Sequence, residues 1–171
     1  MKTTQHLREL GQSLWLDSIS RPMLDDGRIQ RYVTELGVTG LTSNPTIFDE
    51  AIASGAYDED ITRKSAEGKS GEALFTELAL DDLRRAAELL RPAFERSRGV
   101  DGWVSMELSP LLAEDAAASV SAAARIHRAA QIPNLFVKIP GTPQGVSAIE
   151  QSSNLAVNSL ARHHRPPQPC V

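Results

Sequence analysis

The chain has 171 residues, 41% of them hydrophobic and 23% charged, and a formal net charge of -4, which is the composition of one ordinary soluble domain. The acidic balance argues against nucleic acid as a partner, and no apolar run approaches the roughly 20 residues of a membrane span. A single cysteine excludes an internal disulfide and fits a reducing, cytoplasmic setting. Residues 1–11 are polar with helical spacing and do not resemble a signal peptide. In chain order, short apolar runs predict four strands, at residues 14–18, 38–43, 102–108 and 134–139. Helices are expected between them at 23–36 (after Ser20 and Pro22), 45–54, 58–67 and 72–96, and in the alanine-rich stretch 113–130. Leu74, Leu78, Leu83, Ala87 and Leu90 mark one face of the longest of these. Strand alternating with helix at this scale implies an α/β fold with a parallel sheet.

Four of the polar residues in or closing these strands carry chemistry. Lys138 is the only charged residue in the apolar run Leu135-Phe-Val-Lys-Ile139. Burial there disfavours the ammonium form and leaves an amine able to attack a carbonyl and form an imine. The alternative is a lysine on an outer strand face that carries its charge to water. Asn44 ends the segment Gly37-Val-Thr-Gly-Leu-Thr-Ser-Asn44 just before Pro45. It can N-cap the helix that Pro45 starts, and at the end of a parallel strand the same amide faces an active site. Asp17 closes the first strand and either caps the turn before Pro22 or acts as an acid/base group. Glu107 closes the third, and either pairs with a core arginine or serves the site. The adjacent His163 and His164, with Cys170 nearby, match no zinc spacing, and His127 beside Arg125 and Arg128 reads as a solvated helix face. No metal or organic cofactor is expected.

The segments Gly40-Leu-Thr-Ser-Asn-Pro-Thr-Ile-Phe48, Val104-Ser-Met-Glu-Leu-Ser-Pro110 and Asn134-Leu-Phe-Val-Lys-Ile-Pro-Gly-Thr142 resemble, in this order and spacing, the transaldolase family, in its longer bacterial branch. The resemblance runs from about residue 10 to about residue 151. It implies a cofactor-free (β/α)8 TIM barrel in which Lys138 is the Schiff-base lysine and Asp17 the acid/base carboxylate. It also implies that Glu107 positions a catalytic water and that Asn44 binds sugar hydroxyls, with Thr42 and Ser43 of the same segment as further substrate-binding candidates. The implied reaction transfers a dihydroxyacetone unit from sedoheptulose 7-phosphate to glyceraldehyde 3-phosphate, in the non-oxidative pentose phosphate pathway. Sugar phosphates are then the expected partners, with neither nucleic acid nor membrane among them.

A complete barrel of this kind takes about 250 residues, so four βα units with extra helices amount to its N-terminal half. Residues 1–151 are read as a partial barrel domain and 152–171 as a disordered, non-homologous tail, since the prolines at 166, 167 and 169 oppose regular structure. A frameshift or premature stop just after Gln151 is the expected origin of that tail. On this reading the first and fourth strands are exposed edges and invite self-association. Two rivals stand beside the transferase: an aldolase that releases its three-carbon product to water, and an inactive remnant that survives as an interaction polypeptide.

Overall fold

A computed structural model describes residues 3–43, 45–154 and 159–162. The chain forms two compact units, Met1–Met106 with Ile132–Leu135, and Glu107–Gln131 with Phe136–Val171. In the first unit the order is α1 (Thr3–Glu9), β1 (Trp15–Leu16), α2 (Arg21–Asp25) and α3 (Arg28–Arg31), then a π-helical turn at Tyr32–Leu36. Next come β2 (Gly40–Thr42), α4 (Pro45–Ala53), α5 (Asp58–Ala66), α6 (Gly71–Arg96) and β3 (Trp103–Glu107), whose last residue belongs to the second unit. Strands β1, β2 and β3 are parallel neighbours, with Leu16 opposite Leu41 and Leu41 opposite Val104. Leu41 and Val104 are fully buried on one face, which places Thr42 and Ser105, a facing pair in the same register, on the other. Helix α6 buries a stripe of Leu78, Leu83, Ala86, Ala87 and Leu90. Each leucine there contributes roughly 1.5–3 kcal/mol of burial.

The single helix expected at 23–36 is broken at Gly27, whose φ of 73° is left-handed. Asp26 stabilises the break, because its carboxylate accepts the Arg28 amide at 2.9 Å. Fully buried Asn134 is a structural clamp in this unit: its side-chain amide donates to the carbonyls of Ala87 (3.1 Å) and Gly102 (2.8 Å). The Asn134 backbone carbonyl accepts the Val104 amide, so the entry to the fourth strand lies against β3.

The second unit holds the end of β3, a short 3-10 turn at Pro110–Leu112, α7 (Ala116–Ala130), β4 (Leu135–Pro140, less its first residue), α8 (Pro143–Asn154) and β5 (Ser159–Arg162). Its core is Leu108, Ala122, Ala123, Val137, Ile139 and Ala148. Helix α7 starts at 116 rather than 113 because Asp115 caps it, its carboxylate accepting the Ala118 amide at 2.9 Å. The repeat of parallel strand and helix is that of the N-terminal half of a (β/α)8 barrel.

Two features differ from the sequence expectation. Helix α8 continues to Asn154, and Ser159–Arg162 pairs in parallel with β4 from Val137 to Pro140. An ordered strand therefore stands where an appended tail beginning at 152 was expected, and β4 is not a sheet edge, because β5 takes up its outer backbone groups. A four-residue strand is too short to leave a pattern that sequence reading can separate from its flanks. His163, His164 and Cys170 lie outside the described residues. No helix among the described residues is long and apolar enough to cross a membrane.

Candidate active site

In β4 the alternation of side chains decides where the lysine points. Leu135, Val137 and Ile139 are fully buried, the last two in the core that α7 and α8 cover, so Phe136 and Lys138 face the opposite side of the strand. Glu107, at the end of β3, stands beside it: Lys138 Nζ donates to Glu107 Oε1 at 2.5 Å, with side-chain exposures of 19% and 6%. The backbone locks the same two strands together, since the Leu108 amide donates to the Lys138 carbonyl at 2.9 Å. The lysine is thus neither carried out to water nor set in a purely apolar surround, but held on a carboxylate. Glu107 thus meets that lysine. The two side chains form an ion pair on the face of β4 opposite the core.

The turn that follows β4 is built tightly. Buried Thr142 precedes Pro143 and caps α8: its hydroxyl accepts the Gly145 amide at 3.0 Å while donating to the Ala113 carbonyl at 2.5 Å. One hydroxyl therefore ties the turn after β4 to the segment after β3. Gly145 has no room for a side chain, because a Cβ there would run into the Pro140 carbonyl. Sequence reading missed the bridging role of Thr142, although Thr-Pro at a strand exit is a recognisable helix start.

In the first unit, Asp17 follows β1 directly and is exposed. Thr42 closes β2, and the Ser43 amide extends the ladder by donating to the Ser105 carbonyl at 3.0 Å. Asp17, Thr42 and Ser43 thus stand at the C-terminal ends of neighbouring parallel strands. Asn44 lies outside the described residues. Among the described residues no group of three metal-ligating side chains is assembled.

Around the exit of β1 lies a polar cluster that the sequence did not flag. Arg21 donates through Nε to Asp82 at 2.7 Å and through Nη1 to Asp60, and its guanidinium lies 4.6 Å from the Tyr57 ring centre. The Tyr57 hydroxyl donates to Asp82 at 2.5 Å and accepts the Arg21 backbone amide at 3.1 Å. Burial pushes the Tyr57 hydroxyl well above the ordinary phenol range, helped by the Asp82 carboxylate, and burial also raises Asp82 despite its hydrogen bonds.

Comparison with known proteins agrees with this architecture. The family model described as Transaldolase/Fructose-6-phosphate aldolase matches residues 14–161, ten residues beyond the limit that the motifs suggested. The chain is 45% identical to a transaldolase of Thiobacillus denitrificans over 92% of its own length and 44% of that protein's. It is 38% identical to one of Trichodesmium erythraeum (91% and 42%) and 41% identical to one of Thermobifida fusca (85% and 40%). The chain thus spans less than half the length of the curated relatives it matches. With strand following helix in parallel and the family motifs on strand ends, the chain belongs to the transaldolase/fructose-6-phosphate aldolase family.

Proposed function

We propose that this chain carries transaldolase chemistry, the transfer of a dihydroxyacetone unit between sugar phosphates through an imine on Lys138. The observation that carries the reading is the 2.5 Å contact between Lys138 Nζ and Glu107 Oε1, in a family whose named relatives are transaldolases. Glu107 takes the proton that the ammonium must shed, and the free amine adds to the C2 carbonyl of the ketose. The carbinolamine then loses water, with Glu107 holding the water that relays the proton. The protonated imine draws in the electron pair of the C3–C4 bond as that bond breaks, giving an enamine. Asp17 accepts the C4 hydroxyl proton in this step and returns one to the new alkoxide when the enamine attacks the acceptor aldehyde. Thr42, Ser43 and Asn44 hold the three-carbon unit by neutral hydrogen bonds while it waits for that acceptor. Sedoheptulose 7-phosphate as donor and glyceraldehyde 3-phosphate as acceptor follow from the family resemblance.

The test is to incubate the chain with fructose 6-phosphate, reduce with borohydride and measure intact mass beside a Lys138→Ala control. A three-carbon or hexose phosphate adduct only on the lysine-containing chain is the expected result. Absence of any adduct would overturn the reading and leave an inactive polypeptide. The family description also names fructose-6-phosphate aldolase, so products are compared with and without an acceptor aldehyde. Free dihydroxyacetone formed at the same rate in both favours the aldolase.

A further inference from the structure

We propose that Arg21, held by Tyr57 and Asp82, is a positioning residue for Asp17, anchoring the loop that leaves β1 immediately after that carboxylate. The inference rests on the assignment of Asp17 as the acid/base group given above. Asp17 itself is exposed, but Ile19 and Ser20 are buried, and Arg21 opens α2. On the upstream side Leu16 is fixed opposite Leu41. Three residues separate Asp17 from Arg21, and each spans at most about 3.6 Å. Fixing both flanks therefore confines the aspartate between them.

The anchoring is directional on every side. The Arg21 backbone amide donates to the Tyr57 hydroxyl, that hydroxyl donates to one Asp82 oxygen, and Arg21 Nε donates to the other. These three contacts close a ring through the backbone of residue 21. The stacked Tyr57 face and the Asp60 contact fix the plane of the guanidinium. Tyr57 and Asp82 are each 1% exposed. A buried ion pair roughly breaks even in stability against an apolar replacement, so burial of this charge is poorly accounted for by stability. What the ring supplies, and apolar packing would not, is a fixed position for one backbone amide at the exit of β1.

The experiment compares the wild-type chain with Tyr57→Phe, which removes only the hydroxyl, and Arg21→Lys, which keeps the charge but not the fork. Three readouts are taken: amide hydrogen exchange at residues 17–21 and 78–90, borohydride-trapped imine with fructose 6-phosphate, and release of glyceraldehyde 3-phosphate on C3–C4 cleavage. Misplacing a catalytic group by about 1 Å costs on the order of 100-fold. The expected result is therefore glyceraldehyde 3-phosphate release reduced by about 10- to 100-fold while imine trapping, which does not use Asp17, is retained. Exchange at 17–21 should accelerate with 78–90 unchanged. The proposal is overturned if release is unaffected, or if trapping, release and exchange at 78–90 all fail together, which is the signature of lost folding. A wild-type chain that forms no imine overturns the reading of the previous subsection, and that failure is visible without any variant.

Discussion

Replacing Lys138 by methionine removes the ammonium opposite Glu107 while keeping most of the apolar stem. The Glu107 side chain is only 6% exposed, so its carboxylate stays desolvated after losing the charge that faces it. Breaking a buried pair from one side costs about 3–5 kcal/mol, and the partial exposure of Lys138 places this case near about 3 kcal/mol. For a chain of this size each kcal/mol moves Tm by about 2–4 °C, so the expected fall is about 6–12 °C. Converting Glu107 to glutamine in the same chain should restore about 2 kcal/mol, because a neutral amide is far cheaper to bury than a carboxylate. Urea unfolding followed by circular dichroism, on the wild type, both single variants and the double variant, gives the coupling energy. Single-variant costs that add to within about 0.5 kcal/mol would refute the pairing, since residues in real contact are non-additive.

Gly145→Ala forces a methyl group into the Pro140 carbonyl, so it should cost about 1–3 kcal/mol by urea unfolding and reduce imine trapping at Lys138; an alanine variant of wild-type stability would show that the turn after β4 is looser than described. The acid limb of stability should rest partly on Asp60 and Glu77. Hydrogen bonds from Arg63 and then Arg21 hold Asp60 below its ordinary 3.8, and those from Lys69 and then Lys64 hold Glu77 below its ordinary 4.5. A depressed native carboxyl contributes stability that is complete above the unfolded value and is lost as pH falls through the native one. Asp82 has the opposite sign, since burial raises it above 3.8 and the native state then binds its proton more readily than the unfolded chain. Glu77→Gln should therefore flatten the loss of urea midpoint below about pH 4.5, and an unchanged slope would remove Glu77 from the account.

The strands were legible because their signal is local. Residues 102–108 and 134–139 were expected, and Trp103–Glu107 and Leu135–Pro140 form, since a short, largely apolar run between helical segments announces a buried strand. Lys138 and Glu107 stood out singly, as charges among apolar neighbours. Their direct contact, across 31 residues of sequence, needed the register of two strands. The Arg21 ring was not legible at all: its other members lie 36 and 61 residues from Arg21, Tyr57 in the gap between two expected helices and Asp82 in a segment that read as ordinary helix. The break at Gly27 was missed for a different reason, because apolar spacing runs across it and only the left-handed backbone with its Asp26 contact interrupts the helix.

The backbone of Lys138 is held on both sides, while its amine is reached through a long side chain. Val137 and Ile139, fully buried on either side, fix the backbone of residue 138 in the core. The Leu108 amide holds its carbonyl, and four residues further on the Thr142 hydroxyl joins the same two segments again through Ala113. With the chain pinned on both sides of it, the remaining freedom of Nζ is that of a four-carbon side chain in staggered rotamers. For the proposed imine chemistry, moving from the Glu107 carboxylate to a bound carbonyl then requires bond rotation and release of the Glu107 contact, with no rearrangement of the strand backbone. On the imine chemistry proposed above, deprotonation and attack would be successive positions of one side chain, with the backbone held at Leu108 and Thr142.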